Sequence, residues 1–201
     1  MAEQRTGAGD TRSEILDVAE RLVQRRGFND MSYADIAAEM GITKAALHYH
    51  FPGKAELGES LVTRYAARFQ DALRVIAADQ ADAARQLEAY CAIYVSVLRD
   101  KRLCLCGMLA AEYNTLPLSM REAVANFFEE NEKWLVDLLS RGRSAGTLTF
   151  NDSPEQAARM IVAALEGAML VSRPYGNTSV IDSVAGQLVS ELVPRTGRRR
   201  Q

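Results

Sequence analysis

Apolar residues recur every three or four positions along most of the chain, and polar residues fill the positions between them. Ile15, Ala19, Leu22 and Val23 show this spacing near the N-terminus. It is typical of amphipathic helices, whereas the alternating pattern of strands is hard to find. We therefore expect an all-α protein with about nine helices.

Capping residues and helix breakers divide this pattern into elements. Thr11 and Glu14 have the spacing of a capping box at the start of the first helix, and Gly27 ends that helix. A long fourth helix is predicted from Lys54 to about Ala78. Later helices are predicted near residues 82–99, 103–114, 117–143, 154–173 and 179–193.

The segment from Ser32 to Lys54 predicts two short helices joined by a glycine turn. Ser32 is followed by Asp35, and Thr43 follows Gly41, so each short helix begins with a side chain that can accept from its first backbone N–H groups. Gly41 lies where the turn between two such helices needs a glycine. This arrangement indicates a helix-turn-helix that binds DNA.

Only one short window of the chain has a charge that favours DNA binding. The whole chain has a formal net charge of −2, and residues 1–54 contain seven Lys/Arg against eight Asp/Glu. Between Met40 and Ala55, however, no acidic residue occurs, and this window contains two lysines and both histidines of the chain. A DNA phosphate backbone would meet a neutral or cationic surface there.

Within this segment, a capped helix, a Gly-Ile-Thr turn and the sequence Ala-Leu-His-Tyr-His-Phe-Pro-Gly-Lys follow one another. Residues 11–60 thereby resemble the tetracycline-repressor (TetR) family of bacterial transcriptional regulators. His48 stands where that family often has tyrosine, and Ala46 where it often has a hydrogen-bonding residue, so fewer side chains can read base edges. The resemblance implies DNA contacts by Ser32, Tyr33, Thr43, Lys44, Ala45, Ala46, His48, Tyr49, His50 and Lys54.

The rest of the chain is much longer than a DNA-binding unit requires. We assign residues 1–54 to the helix-turn-helix domain, 55–194 to a helical ligand-binding and dimerisation domain, and 195–201 to a basic disordered tail. Aromatic and sulfur-containing residues suit irregular apolar ligands, although such stripes also form ordinary cores. The candidate ligand residues are Tyr65, Phe69, Tyr90, Tyr94, Cys104, Met108, Tyr113, Phe127, Asn131, Trp134 and Met169.

Three cysteines, Cys91, Cys104 and Cys106, cannot all pair within one chain, and reduced thiols are expected. Cys104 and Cys106 follow Lys101 and Arg102 near a predicted helix start, a setting that can lower a thiol pKa. The segment also resembles one in a TetR subgroup, some of whose members sense electrophiles or oxidants. Redox sensing through Cys104 or Cys106 is thus one alternative, and buried inert cysteines are the other.

We interpret the chain as a cytoplasmic transcriptional regulator, in the first place a repressor released from its operator by a small apolar or aromatic effector. The resemblance implies a homodimer through the last two helices and a pseudo-palindromic double-stranded DNA operator. The longest stretch without a charged residue is residues 89–98, too short to span a membrane.

Two other interpretations remain open at this point. A regulator without a ligand would use the second domain only to dimerise. A small helical enzyme acting on a hydrophobic substrate would need a nucleophile–base pair, a metal-ligand cluster or a phosphate loop, and the sequence offers none. His48 and His50 point about 200° apart on a helix, so one metal ion could not easily reach both. No cofactor is expected.

Overall fold

The computed structural model describes residues 8–80 and 82–194, and all regular structure within them is helical. This confirms the all-α prediction. The α-helices are α1 (Ala8–Arg26), α2 (Tyr33–Met40), α3 (Lys44–His50), α4 (Lys54–Asp79), α5 (Ala83–Arg99), α6 (Leu105–Ala111), α7 (Leu118–Ser144), α8 (Pro154–Tyr175) and α9 (Ser179–Leu192). A 3₁₀ turn, Tyr113–Thr115, separates α6 from α7.

The ends of the two short helices follow from their capping residues, as predicted. The Ser32 hydroxyl accepts from the backbone N–H of Asp35, whose carboxylate accepts from the backbone N–H of Ser32. Thr43 caps α3 by accepting from the backbone N–H of Ala46 at 3.2 Å. Gly41 has a φ of 67°, a left-handed conformation that costs glycine little and ends α2.

The predicted capping box at the start of the first helix is wrong. Helix α1 already begins at Ala8, so Thr11 and Glu14 lie within it and not at its end. Residues 8–10 already have a helical backbone, and a threonine inside a helix carries the same sequence signal as one that caps it.

The chain forms two compact units, whose described parts are residues 8–67 with 105–125, and residues 68–80, 82–104 and 126–194. The predicted domain boundary at residue 54 does not coincide with this division. Residues 105–125 belong with the first unit because the Glu112 carboxylate accepts from the backbone N–H groups of Phe28 and Asn29, at 2.8 and 3.1 Å. The predicted basic tail, 195–201, lies outside the described residues.

The first unit has a continuous apolar core. Ile15 from α1, Ile36 from α2, and Leu47 from α3 are fully buried together with Phe51 and Leu57 around the start of α4. Helix α1 packs against α2, and α2 packs against α3. Because the two short helices bury their apolar sides here, their opposite sides face solvent.

Arg64 of α4 is tied to α1 by charge. Its guanidinium lies 2.9 Å from an Asp17 carboxylate oxygen and 3.2 Å from a Glu20 carboxylate oxygen, and donates to the Ser13 carbonyl at 3.1 Å. The Glu20 side chain is only 12% exposed and the Arg64 side chain 17% exposed. Such shielding makes this pairing stronger than an ion pair in open solvent.

In the second unit, α8 packs against α9 and both pack against α5. Leu135 and Leu138 of α7, Leu165 of α8, and Ile181 of α9 contribute to its apolar core. Within the described parts of the chain, no helix is both long and apolar enough to cross a membrane.

We predict that Arg64→Met lowers the free energy of unfolding by about 2 kcal/mol, because the buried Glu20 carboxylate loses its cationic partner. Urea denaturation followed by circular dichroism measures the change. Arg74→Met is the matched control: Arg74 pairs with Asp71 on the exposed side of α4, and its loss should change stability by less than about 0.5 kcal/mol. Equal effects of the two substitutions would contradict the structural role of Arg64.

Candidate DNA interface and ligand site

Helix α3 is fixed to the first unit by its apolar side and its two ends. Leu47 and Phe51 are fully buried, and the backbone N–H of Phe51 donates to the Leu47 carbonyl at 2.9 Å. With Thr43 capping the other end, all seven residues of the helix are held in place. The remaining side chains of the helix therefore project from a rigid support.

The predicted reading residues lie on the outer side of α3. Lys44, Ala45, His48 and Tyr49 are exposed, and Ala46 and His50 are half-buried. Tyr49 is 81% exposed and so does not belong to the core. A large aromatic side chain so open to solvent at the end of this helix is available to a partner.

Tyr33 supports α3 from α2. Its hydroxyl donates to the Phe51 carbonyl at 2.9 Å, and its ring centroid lies 4.7 Å from that of His48. Burial, with a smaller contribution from the negative charge of Glu56, raises the pKa of Tyr33 to about 12. The Ser32 hydroxyl likewise has a structural partner in Asp35. Both residues predicted to contact the DNA backbone thus also hold the helices in position.

His48 is oriented by the turn that follows α3. Its Nδ1 lies 3.1 Å from the Pro52 carbonyl oxygen, so a proton on Nδ1 is donated to that oxygen. In the neutral ring this tautomer leaves Nε2 as an acceptor, and in the protonated ring Nε2 becomes a donor. The same side chain can accordingly meet either a base-edge donor or a phosphate.

Lys54 has partners inside the first unit. Its ammonium donates to the Asn29 carbonyl at 3.2 Å and lies 4.7 Å from the centroid of the Phe28 ring. Burial lowers the pKa of Lys54, while the negative charges of Glu112, Asp30 and Asp35 oppose that shift. The Lys54 ammonium therefore already interacts with groups of the first unit, unlike an ammonium that extends freely into solvent to bind a phosphate.

Both acidic residues of α2 are paired with arginines of α1. Glu39 lies 2.8 Å from Arg21, and Asp35 lies 3.4 Å from Arg26. The sequence count of seven basic against eight acidic residues therefore overstates the negative field near α3, since these carboxylates are compensated locally. The window without acidic residues keeps its cationic character.

In the second unit, the buried side chains of three predicted ligand residues form a closed ring of hydrogen bonds, which we call the polar ring. The Tyr90 hydroxyl donates to the Asn131 side-chain oxygen at 2.8 Å, and the Asn131 amide donates to the Tyr94 hydroxyl at 3.0 Å. The two tyrosine hydroxyls are 3.2 Å apart, so Tyr94 can donate back to Tyr90. All three residues are buried, and burial raises the pKa of both tyrosines.

Aromatic rings surround this polar ring. Trp134 stacks on Tyr90 with centroids 5.6 Å apart, and the edge-to-face contacts of Phe69 reach Tyr90, Tyr94 and Phe127. The structure thus brings together six predicted ligand residues: Phe69, Tyr90, Tyr94, Phe127, Asn131 and Trp134. Met169, from α8 of the same unit, is also buried.

Glu166 of α8 is a residue that the sequence interpretation missed. Its Oε1 atom is buried and has no hydrogen-bond partner among the described residues. Burial raises the pKa of Glu166 to about 7, and a hydrogen bond from the Cys104 thiol opposes that shift. Its charge also contributes to the raised pKa of Tyr90 and of Tyr94, which places it electrostatically close to the polar ring. A glutamate between two apolar neighbours, Leu165 and Gly167, was the available sequence signal.

Other predicted ligand residues belong to the first unit. Tyr65 and Met108 are buried there, while Tyr113 is 43% exposed and has the Arg121 guanidinium 5.6 Å from its ring centroid. The partner that the structure gives Tyr113, Arg121, thus lies within the first unit. Met160 of α8 is exposed, in contrast to the buried Met169 of the same helix.

The three cysteines are buried and form no disulfide with one another. Cys104 is 3% exposed and Cys106 fully buried, which restricts the access of oxidants and electrophiles to both. Burial raises the pKa of the Cys91 thiol to about 12 and so disfavours its reactive thiolate. In the part of the chain that the structure describes, no three His, Cys, Asp or Glu side chains cluster as metal ligands.

Comparisons with known proteins agree with this geometry. A family model described as "Bacterial regulatory proteins, tetR family" matches residues 15–61. A second, described as "Tetracyclin repressor-like, C-terminal domain", matches residues 83–188 and thus more than half of the chain.

Relatives match over nearly the full length. The HTH-type transcriptional repressor DhaR of Mycobacterium sp. is 24% identical over 92% of this chain and 93% of its own length. The HTH-type transcriptional repressor NemR of Escherichia coli is 27% identical over 82% and 84%. A crystal structure of a TetR-family transcriptional regulator from Agrobacterium tumefaciens shares 28% identity, covers 94% of this chain and 100% of that chain, and gives a TM-score of 0.90.

The helix-turn-helix, the helical remainder and both family matches lead to the same assignment. The chain belongs to the tetracycline-repressor (TetR) family and is a DNA-binding transcriptional regulator.

Proposed function

We propose that this regulator is a repressor that leaves its operator when a small molecule with an apolar or aromatic body binds to the second unit. The observation that carries the DNA-binding part is the outer side of α3, which is rigidly supported, exposed and free of acidic residues. Two relatives that match most of the chain are named repressors, which supports the direction of control.

The proposed DNA contacts follow from exposure and chemistry. Lys44, Ala45 and His48 enter the major groove, where the small Ala45 allows close approach and Lys44 reaches base-edge acceptors. Tyr49 and His50 contact the flanking phosphates. Ser32, Tyr33, Thr43 and Lys54 complete the interface at its edges, and Ala46 lies next to Ala45 among the central positions. With two alanines among the central positions, base reading depends strongly on Lys44 and on DNA shape.

Dimerisation is proposed through α8 and α9. Met160, Leu170 and Val171 are exposed apolar side chains on α8, and an apolar helix side open to solvent favours a protein partner. A Cβ atom at Gly167 of α8 or at Gly186 of α9 would meet no other atom within 4 Å, so both positions leave room for close approach by a second helix. A two-fold dimer matches a pseudo-palindromic operator.

The effector is proposed to contact the aromatic residues around Tyr90, Tyr94 and Asn131. Rings, a methionine and a few polar atoms are the usual lining of a small-molecule site. An effector that binds one arrangement of the dimer better than the DNA-bound one weakens DNA binding, and DNA weakens effector binding by the same factor. This assigns the second unit a sensing role and not catalysis. A DNA-binding regulator acts where the bacterial chromosome lies, in the cytoplasm.

We predict that Lys44→Ala and His50→Ala each weaken operator binding by about tenfold or more, because each dimer loses two contacts to DNA. Fluorescence anisotropy or a gel shift with the DNA upstream of the protein's own gene measures the affinity. The dependence of affinity on salt should also become shallower.

Lys133→Ala is the matched control for charge. Lys133 is exposed on α7, in the second unit, and pairs with Glu130 at 2.7 Å, so its loss should leave operator affinity unchanged. Affinity that stays the same in both Lys44→Ala and His50→Ala would sink the assignment of α3 as the reading helix.

We predict that Leu170→Glu converts the dimer to a monomer, because a buried unpaired carboxylate opposes association. Analytical ultracentrifugation measures the mass, and operator affinity should fall with it. Val75→Glu is the control, since Val75 is an apolar residue on α4 that is also about half exposed, 57% against 47% for Leu170. A Leu170→Glu protein that remains dimeric would show that this side of α8 is not the interface.

A further inference from the structure

We propose that Glu166 anchors a protonated amine of the effector, so that the ligand is an organic cation with an apolar or aromatic body. This inference rests on the effector site proposed above and specifies its chemistry. The residues involved, Glu166 with Tyr90, Tyr94, Asn131 and Cys104, all belong to the second unit.

One carboxylate oxygen of Glu166 lacks a hydrogen-bond partner among the described residues. Buried polar atoms in folded proteins are nearly always hydrogen-bonded, and a buried carboxylate oxygen without a donor is costly. Oε1 of Glu166 is such an atom among the described residues. The Cys104 thiol donates to the carboxylate, but a thiol is a weak donor and does not neutralise the charge.

The hydroxyl protons of Tyr90 and Tyr94 already take part in other hydrogen bonds. Tyr90 donates to Asn131, Asn131 donates to Tyr94, and Tyr94 can donate back to Tyr90, so the hydrogen bonds close into a ring. Turning either hydroxyl toward Glu166 would break a buried hydrogen bond elsewhere. The missing donor must therefore come from outside this group of side chains.

The negative charge of the Glu166 carboxylate favours a cationic ligand. A neutral ligand leaves the carboxylate uncompensated, and an anion is repelled by it, whereas an ammonium group supplies both the proton and the opposite charge. The stacked pair Tyr90 and Trp134 and the Phe69 ring are electron-rich surfaces that also favour a cation. Burial raises the pKa of Glu166, and a bound cation would lower it again.

A measurement without ligand tests the unpartnered carboxylate. Since the folded-state pKa of about 7 lies above the ordinary value of 4.5, the native state holds this proton more tightly than the unfolded state. Native stability therefore falls as the pH rises from about 4.5 through 7. The raised pKa values of Tyr90 and Tyr94 keep both hydroxyls protonated over this range.

The expected result is a higher Tm for Glu166→Gln than for the wild type at pH 8, with a smaller difference at pH 5.5. Glu166→Met, which removes the polar atoms altogether, should show the same trend. A Tm difference that does not change with pH would mean that the carboxylate is solvated or paired, and would overturn the inference.

The ligand test uses arylalkylamines with one to four methylene groups, together with the alcohols and carboxylates of the same carbon skeletons. Binding to the full-length protein at pH 8 is followed by the fluorescence of Trp134, the only tryptophan, and by the shift in Tm. We expect at least one amine to bind about tenfold more tightly than its alcohol, and its affinity to fall about tenfold in Glu166→Gln. The alcohol should bind the two proteins equally.

Three results would overturn the proposal: no amine binding at about 10 mM, equal affinity for amine and alcohol, or unchanged amine affinity in Glu166→Gln. Added operator DNA separates this inference from the proposed function. Release of DNA by the alcohols but not by the amines would refute the amine anchor and leave the effector mechanism standing. Amines that bind through Glu166 without releasing DNA would support the anchor and refute the release step.

Discussion

The attachment of a seven-residue helix to its support is the constraint on which DNA recognition depends. A helix as short as α3 does not persist alone in water, because nucleation costs more than so few hydrogen bonds return. The Thr43 cap, the buried side chains of Leu47 and Phe51, and the Tyr33 hydrogen bond to the Phe51 carbonyl supply what the helix lacks. The outward direction of Lys44 follows from that attachment, and not from any preference of the lysine itself.

Ion pairs between arginines and carboxylates determine where uncompensated charge remains in the first unit. Many of its arginines and carboxylates form ion pairs: Arg21 pairs with Glu39, and Arg64 pairs with Asp17 and Glu20. The charges that stabilise the fold are therefore different from those that bind DNA. A domain with no excess of basic residues can then present a locally cationic surface, because the field near a phosphate depends on the nearest uncompensated groups. At physiological salt, screening largely removes the influence of the more distant charges.

Local sequence signals predicted the helices well, since Ser32, Gly41 and Thr43 act through backbone groups one turn away. The same kind of signal misled at Thr11, where a threonine inside α1 has the same neighbours as a capping residue. The ligand residues were only partly predictable: periodicity shows that Tyr113 and Tyr94 each lie on a helix side, but not which unit each side belongs to. Glu166 was missed because a single glutamate in an apolar helix usually indicates a solvent-facing position, and only the packed structure shows its Oε1 atom to be buried.

Some buried polar atoms of the second unit satisfy one another by hydrogen bonds, and one carboxylate does not gain such compensation. The first kind serves packing, and the second kind suits ligand binding. Tyr90, Tyr94 and Asn131 satisfy one another, so their hydrogen bonds fix one arrangement of α5 against α7 and need nothing from outside. Glu166 gains no comparable compensation from the described residues, and it reduces stability at the pH where the carboxylate is charged. An apolar residue at position 166 would pack at lower cost. The Glu166 carboxylate is therefore explained by a cationic ligand, which on binding supplies the ion pair that folding alone does not form.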